Sequence, residues 1–235
     1  MTEAAFARNN PDLSNSMALM HTLMEYRSRE IYGRLRNIGA NCSMLHIDVL
    51  ALLYHFARIC SGHVLEIGPY IGGSTIAAAL GVQDSRTPKT IVSIEEGGKL
   101  EHPTLASTNI LKDFRKNLAK HGLLDMVTLV EGRSLDPMTV AKVQQAVGPQ
   151  QIGLFILDAA GAVKADIACY ADRLSQGCLV VIDDYYAAGP CEKVAGIRAD
   201  VDGLVAEGSL VPLGFYGHGT WSGRWVRSTP TPEIP

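Results

Sequence analysis

The sequence lacks several features, and each absence removes a class of function. No apolar run is long enough to span a bilayer, so no membrane role is expected. The formal net charge is only −3, without the clustered Lys and Arg of a broad phosphate-binding surface, so no nucleic-acid partner is expected. The cysteines, Cys42, Cys60, Cys169, Cys178 and Cys191, show no C-x-x-C spacing. They read as free thiols of a reducing cytoplasm rather than as a zinc site. The start, MTEAAFARNN, has no basic segment followed by an apolar stretch, so a secretion signal is not expected. There is no internal repeat and no long linker. The G-x-G-x-x-G spacing that favours a dinucleotide pyrophosphate is absent too.

Hydrophobic residues make up 47% of the 235 positions and charged residues 19%, the balance of a globular chain. Met17, Met20, Met24, Ile31 and Leu35 recur on one helical face. The methionine stripe is expected in the core or in a dimer interface, which would make a homodimer through the N-terminal helices. A second helix is expected over 45–60, and strands and helices then alternate. HVLEI, TIVSIE, MVTLVEG, IGLFILD and CLVVIDD read as strands. Helices are expected over 74–80, 106–121, 139–147, 163–174 and 192–206. The chain closes with LVPLGFY and TWSGRWVR around GHG, a connection too short for a parallel crossover. The expected fold is α/β, a Rossmann-like doubly wound sheet with an antiparallel last strand and added N-terminal helices. Residues 1–44 are expected to form the helical extension, 45–228 the main domain and 229–235 a frayed tail.

In such sheets ligands bind beyond the C-terminal ends of the strands, where strand order reverses. The first strand runs into Glu66-Ile67-Gly68-Pro69-Tyr70-Ile71-Gly72-Gly73-Ser74. Gly68 allows a tight turn, Gly72 and Gly73 let a ligand approach the backbone, and Ser74 opens the helix and is expected, with Glu66, Gly68 and Gly72, among the cofactor-binding residues. Glu66 suits a cationic ligand group such as an amino-acid ammonium. The next strand ends in Glu95-Glu96. Glu95 there suits a ribose diol, two hydroxyl donors to one acceptor pair, and Glu96 is expected in solvent. The third strand ends in Glu131-Gly132-Arg133-Ser134, where the small polar Ser134 can meet an adenine edge.

Asp158 ends the fourth strand, and Asp183 and Asp184 end the fifth. At about 4 Å and an effective dielectric near 20, each like-charged pair would repel by roughly 4 kcal/mol. Protonation, a Lys or Arg, or a divalent cation must offset that. Three carboxylates without Cys or His favour an oxygen-seeking ion, Mg²⁺ before Ca²⁺ or Mn²⁺. Successive strand residues also point to opposite faces, so Asp183 and Asp184 need not converge, and one could cap the following helix. His46, His55, His102 and His218 have packing or loop roles as their simplest reading, with His218 in reserve as a base. Lys164 is expected on a solvated helix face. Tyr185 and Tyr186, with the N-terminal helix, are candidates to shape an acceptor pocket.

VLEIGPYIGGST, IVSIEEG, LVEGRS, FILDAAG and VVIDDYYAAG, in that order, resemble the class I S-adenosylmethionine-dependent methyltransferases over residues 45–227. The resemblance implies that Gly68 and Gly72 line the methionine and ribose region, Glu95 holds the ribose hydroxyls and Ser134 lies by the adenine. LFILDAAG with CLVVIDDYYAAG is similar to the metal-dependent catechol-type O-methyltransferases. This implies that Asp158, Asp183 and Asp184 hold Mg²⁺, with Asp158 catalytic and also facing the cofactor. Methyl transfer from S-adenosylmethionine to a hydroxyl of a catechol-like, sugar or secondary-metabolite substrate is the expected activity. A metal-independent methyltransferase and a non-catalytic cofactor-binding subunit are the alternatives. The sequence departs from the catechol type at Gly161, where that family places a lysine.

Overall fold

The protein is described by a computed structural model that covers residues 11–159 and 162–227. Gly161 and the 229–235 tail lie outside the described residues, as does the start of the N-terminal extension. Helices α1 (Pro11–Tyr26), α2 (Glu30–Cys42) and α3 (Ile47–Ile59) precede the first strand. Then follow β1 (His63–Ile67), α4 (Gly73–Gln83), β2 (Ile91–Glu95), α5 (Ile110–Lys120), β3 (Val127–Glu131) and α6 (Pro137–Val147). The remainder is β4 (Ile152–Leu157), α7 (Val163–Tyr170), β5 (Leu174–Ile182), α8 (Glu192–Ala206), β6 (Leu210–Tyr216) and β7 (Thr220–Trp225). The described strands form one sheet in the order β3-β2-β1-β4-β5-β7-β6. The first five pair in parallel, and β7 lies antiparallel between β5 and β6. The expected α/β sheet is therefore observed. Its strand order reverses between β1 and β4, where such folds bind ligands.

Alternation along the strands builds two cores. Val64, Leu154, Ile156, Leu179 and Val181 face α1 to α5. Leu65, Ile67, Phe155, Leu157, Val180 and Ile182 face α6, α7 and α8. Both faces are covered, which is why β1 and β2 are buried along their whole length and apolar except at His63, Glu66, Ser93 and Glu95. Leu19, Leu23, Leu35 and Ile38 of α1 and α2 join the first of these cores.

The expected N-terminal helix is interrupted between Tyr26 and Glu30, and its buried face differs from the one expected. Leu19, Leu23 and Tyr26 are buried, whereas Met17, Met20 and Met24 stay 46%, 57% and 62% exposed. The methionine stripe is not part of this chain's core. Both sets keep helical spacing about 100° apart, so periodicity alone does not choose between them. Helix α5 starts later than expected because Asn109 caps it, its Oδ1 accepting from Lys112 N at 2.9 Å. Strand β5 starts earlier, at Leu174, and the helix expected over 163–174 ends in a short 3₁₀ turn at 171–173.

Candidate active site

Backbone pairing carries the site residues to one end of the sheet. Gly68 N donates to Ile94 O, Asp158 N to Ile67 O, Asp183 N to Leu157 O and Gly132 N to Glu95 O, each at 2.9–3.0 Å. The tips of β1 to β5 thus end in register. Over them lies a cavity of about 1300 Å³. Gly68, Tyr70, Glu95 and Ser134 line one part of it, Asp158, Asp183, Asp184 and Lys193 another. Met44, Leu45, His46, Tyr186 and His218 close a further side.

The turn after β1 is left-handed at Gly68 (φ 80°), Tyr70 (φ 51°) and Gly72 (φ 94°). A non-glycine residue in that region costs about 1–3 kcal/mol and persists where the surroundings over-determine it. Tyr70 is pinned at both ends. Its N–H donates to Glu95 Oε2 at 3.1 Å, and its hydroxyl donates to the Leu105 carbonyl. A Cβ on Gly68 would lie 2.1 Å from the Asp158 carbonyl oxygen, so the glycine turn and the fourth strand tip touch directly. Gly72 packs against the Phe114 ring instead of the cavity.

Glu95 is buried beside this turn, with Oε1 accepting from Gly97 N at 2.9 Å. Burial raises its pKa, opposed by the two backbone N–H groups. Each carboxylate oxygen keeps a lone pair for a further donor. Glu96 is exposed and pairs with Arg133 at 3.3 Å. Ser134 faces the cavity, its carbonyl held at 2.7 Å by the Tyr170 hydroxyl.

Glu66 is placed differently from the expectation. It is fully buried under α4 and outside the cavity lining, with Oε2 accepting from Thr75 Oγ1 at 2.5 Å and Ser93 Oγ at 2.8 Å. Strand alternation explains this: Glu66 shares the side of Val64 and points at α4. It ties the first turn of that helix to the sheet instead of meeting a ligand ammonium. Its Oε1 has no protein donor, and burial pushes its pKa up. Ser74 is likewise buried in α4, away from the cavity.

The structure brings the three aspartates together: one oxygen from each of Asp158, Asp183 and Asp184 lies within 4.8 Å of the others. Asp184 (φ 56°) leaves the strand in a left-handed conformation, which cancels the alternation that would separate neighbours. Burial and then the Asp183 charge push Asp158 well above the usual carboxylate range, with Lys193 opposing. Burial also raises Asp183, against a 2.5 Å hydrogen bond donated by Thr220 Oγ1 to its Oδ1. The all-oxygen donor set and the convergence of three carboxylates fit a hard divalent cation.

Lys193 is the functional candidate that sequence reasoning missed. Its Nζ lies 2.6 Å from Asp184 Oδ2. Burial works against its charge, yet Asp184, Asp158 and Asp183 together hold its pKa above the ordinary lysine value. A signal for it existed: it sits in the first turn of α8, where the helix dipole disfavours a cation. Thr220 and Tyr70 offered no such sign. Lys164 pairs with Glu207 at 2.6 Å on the surface, as expected. His55 packs against Tyr26, and His102 accepts from the loop N–H groups of Thr104 and Leu105. His46 caps α3 through Asp48 N, and His218 of the GHG turn meets it edge to face with ring centroids 4.8 Å apart. Both line the cavity.

The chain is similar to known proteins in sequence profile and in fold. The family profile described as "Methyltransferase domain" matches residues 65–185. No curated protein sequence matches the chain. Among solved structures, the O-methyltransferase TomG from Streptomyces achromogenes, in complex with SAM and involved in tomaymycin synthesis, is 18% identical at a TM-score of 0.58. That match covers 86% of this chain and 91% of the other. An O-methyltransferase from Bacillus cereus in complex with SAH is 14% identical at 0.57, covering 90% of each chain. The SAH-bound Podospora anserina methyltransferase PaMTH1 is 18% identical at 0.57, covering 96% of this chain and 97% of that one. At these identities the structures are similar in fold.

Proposed function

This chain belongs to the methyltransferase-domain family, and from that premise we propose that it transfers a methyl group from S-adenosylmethionine to a hydroxyl of a small molecule with the help of a divalent cation. The observation that carries this reading is the single cavity that joins the Gly68 turn, Glu95 and Ser134 to the aspartate cluster. A nucleoside at one end and an oxygen-seeking ion at the other fit that lining.

In this reading Glu95 accepts the two ribose hydroxyls through lone pairs not used by Tyr70 and Gly97. Gly68 and Tyr70 hold the turn that shapes the methionine end, and Ser134 borders the adenine. S-adenosylmethionine supplies an electrophilic methyl group on a sulfonium. Asp158, Asp183 and Asp184 would hold the cation, whose charge lowers the pKa of a neighbouring hydroxyl. Thr220 fixes the Asp183 carboxylate by its hydrogen bond. Met44, Leu45, His46, Tyr186 and His218 wall the acceptor side, limiting water and fixing the angle of approach. The rest is positioning in a partly dry site, where fixed charges act more strongly than in water.

Calorimetry with S-adenosylhomocysteine tests the cofactor half, and no binding would refute it. Turnover of a vicinal-diol panel with Mg²⁺ or EDTA tests the other half. Asp158→Ala should abolish metal-dependent turnover, and EDTA-resistant activity in the wild type would refute the metal assignment.

A further inference from the structure

We propose that the Lys193 ammonium is the aspartate cluster's own counter-ion, and that a divalent cation occupies the cluster by exchange with it. This rests on the metal reading of the site.

Three carboxylates converge within 4.8 Å, and among the described residues Lys193 is the cation placed against them. It is attached to the cluster from outside the sheet. Asp158 and Asp183 are fixed at strand tips, whereas Lys193 projects from α8, across the loop that follows Asp184. The Lys193 and Asp184 side chains are each 38% exposed, so their contact opens onto the cavity and can be broken without unpacking the core. The contact also runs against local preference. A lysine in a first helical turn is disfavoured by the helix dipole, so the carboxylates hold it there and the helix does not.

The ammonium and a divalent ion compete for the same charge. Lys193 lies 2.6 Å from Asp184 Oδ2, and its charge is also felt by Asp158 and Asp183. An ion bound to all three carboxylates would share that space with a like charge, so the lysine must swing away. A tethered ammonium makes the cluster tolerable without metal and weakens the affinity for one. It is a charge that no diffusing ion has to supply, present in every molecule.

The test is Mn²⁺ titration of the full chain, followed by the electron paramagnetic resonance of the free ion, together with thermal melts without metal. Lys193→Met should bind Mn²⁺ at least tenfold more tightly than the wild type. Its metal-free Tm should be lower, and saturating Mn²⁺ should close the gap. Lys193→Arg, which keeps the charge, should stay close to the wild-type affinity. Equal or weaker Mn²⁺ binding by Lys193→Met overturns the exchange while leaving the metal site standing. Failure of both chains to bind Mn²⁺ at millimolar concentration, with S-adenosylhomocysteine still bound, overturns the metal reading and the exchange with it. If Lys193→Met does not fold, Lys193→Gln carries the same comparison.

Discussion

Replacing Gly68 by alanine tests the contact that joins the glycine turn to the aspartate site. Two penalties add. The residue is left-handed at φ 80°, which costs an alanine about 1–2 kcal/mol. The new Cβ would also lie 2.1 Å from the Asp158 carbonyl oxygen and 2.7 Å from its carbon. Those are backbone atoms at a strand tip and cannot rotate aside, so overpacking adds about 1–3 kcal/mol. The sum is about 3 kcal/mol. Gly208 supplies the control: its φ is 73°, but nothing lies within 4 Å of an added Cβ. Gly208→Ala should therefore lose only the conformational part, about 1 kcal/mol. With a urea m-value of about 2 kcal/mol/M, Gly68→Ala should drop the unfolding midpoint by roughly 1.5 M and Gly208→Ala by about 0.5 M. Gly68→Ala should also lose S-adenosylhomocysteine binding in calorimetry, because the Asp158 backbone must move, whereas Gly208→Ala should keep it. Equal midpoints for the two variants would refute the claim that this glycine is required by the approach of the fourth strand.

Three further outcomes follow from the same structure. Glu95→Gln places an amide where both oxygens accept backbone N–H groups, so S-adenosylhomocysteine should bind at least tenfold more weakly by calorimetry, about 1.4 kcal/mol; unchanged affinity would remove Glu95 from the cofactor site. Burial, with the Arg58 and Arg29 charges, lowers the His55 pKa to about 4 from its usual 6.5. The unfolded chain therefore takes up a proton below pH 6.5 that the folded chain refuses until about pH 4, and stability falls as pH drops through that window. Discounted for the ring's partial exposure, the loss is about 2 kcal/mol. Urea midpoints of His55→Gln should fall less than the wild type between those limits, and parallel curves would count against it. Cys191 is exposed while Cys42, Cys60 and Cys178 are buried, and burial pushes the Cys42 thiol up to about 11. Ellman's reagent should therefore show a fast thiol in the native protein that Cys191→Ser removes; persistence of that phase would place the reactive thiol elsewhere.

The sheet was legible because burial on both faces leaves an unambiguous trace. β1, β2 and β4 are short apolar runs ending in Gly or carboxylate, and each forms as expected. The antiparallel β7 was legible from a connection too short to cross over. The N-terminal helices were less so, since two apolar stripes on α1 compete and only the position of α3 and β6 decides which is covered. Within the site, residue types were readable but directions were not. Glu66 and Glu95 are both glutamates at strand ends, yet one is a buried tie to α4 and the other faces the cavity. The difference is one step along the strand: Glu66 precedes the last residue of β1, and Glu95 is the last residue of β2. A residue inside the strand obeys the pleat and is covered by the helix above, while one at the tip can fold over the turn.

The aspartates extend that point. Strand alternation predicts that Asp183 and Asp184 diverge, and their convergence depends on a left-handed residue that no pattern in the sequence announces. Aspartate tolerates that conformation better than most residues, but tolerance does not place it there. The loop beyond it supplies the cause: Lys193 pulls Asp184 Oδ2 from one side, and the Thr220 hydroxyl holds Asp183 from β7 on the other. The acidic site is therefore a property of three separate segments meeting at the sheet end, and Asp158 joins it only because β4 lies beside β5. It follows that Thr220→Val, which touches no ligand in the proposed chemistry, should still disturb the site. Removing that hydroxyl leaves Asp183 Oδ1 without its 2.5 Å donor, a loss of about 1–3 kcal/mol for a buried charged acceptor. That hydrogen bond favours the ionised form of Asp183 against the burial that raises its pKa, so without it Mn²⁺ affinity in Thr220→Val should fall more steeply on acidification than in the wild type. A uniform drop at every pH would instead mean that Thr220 acts only by shape.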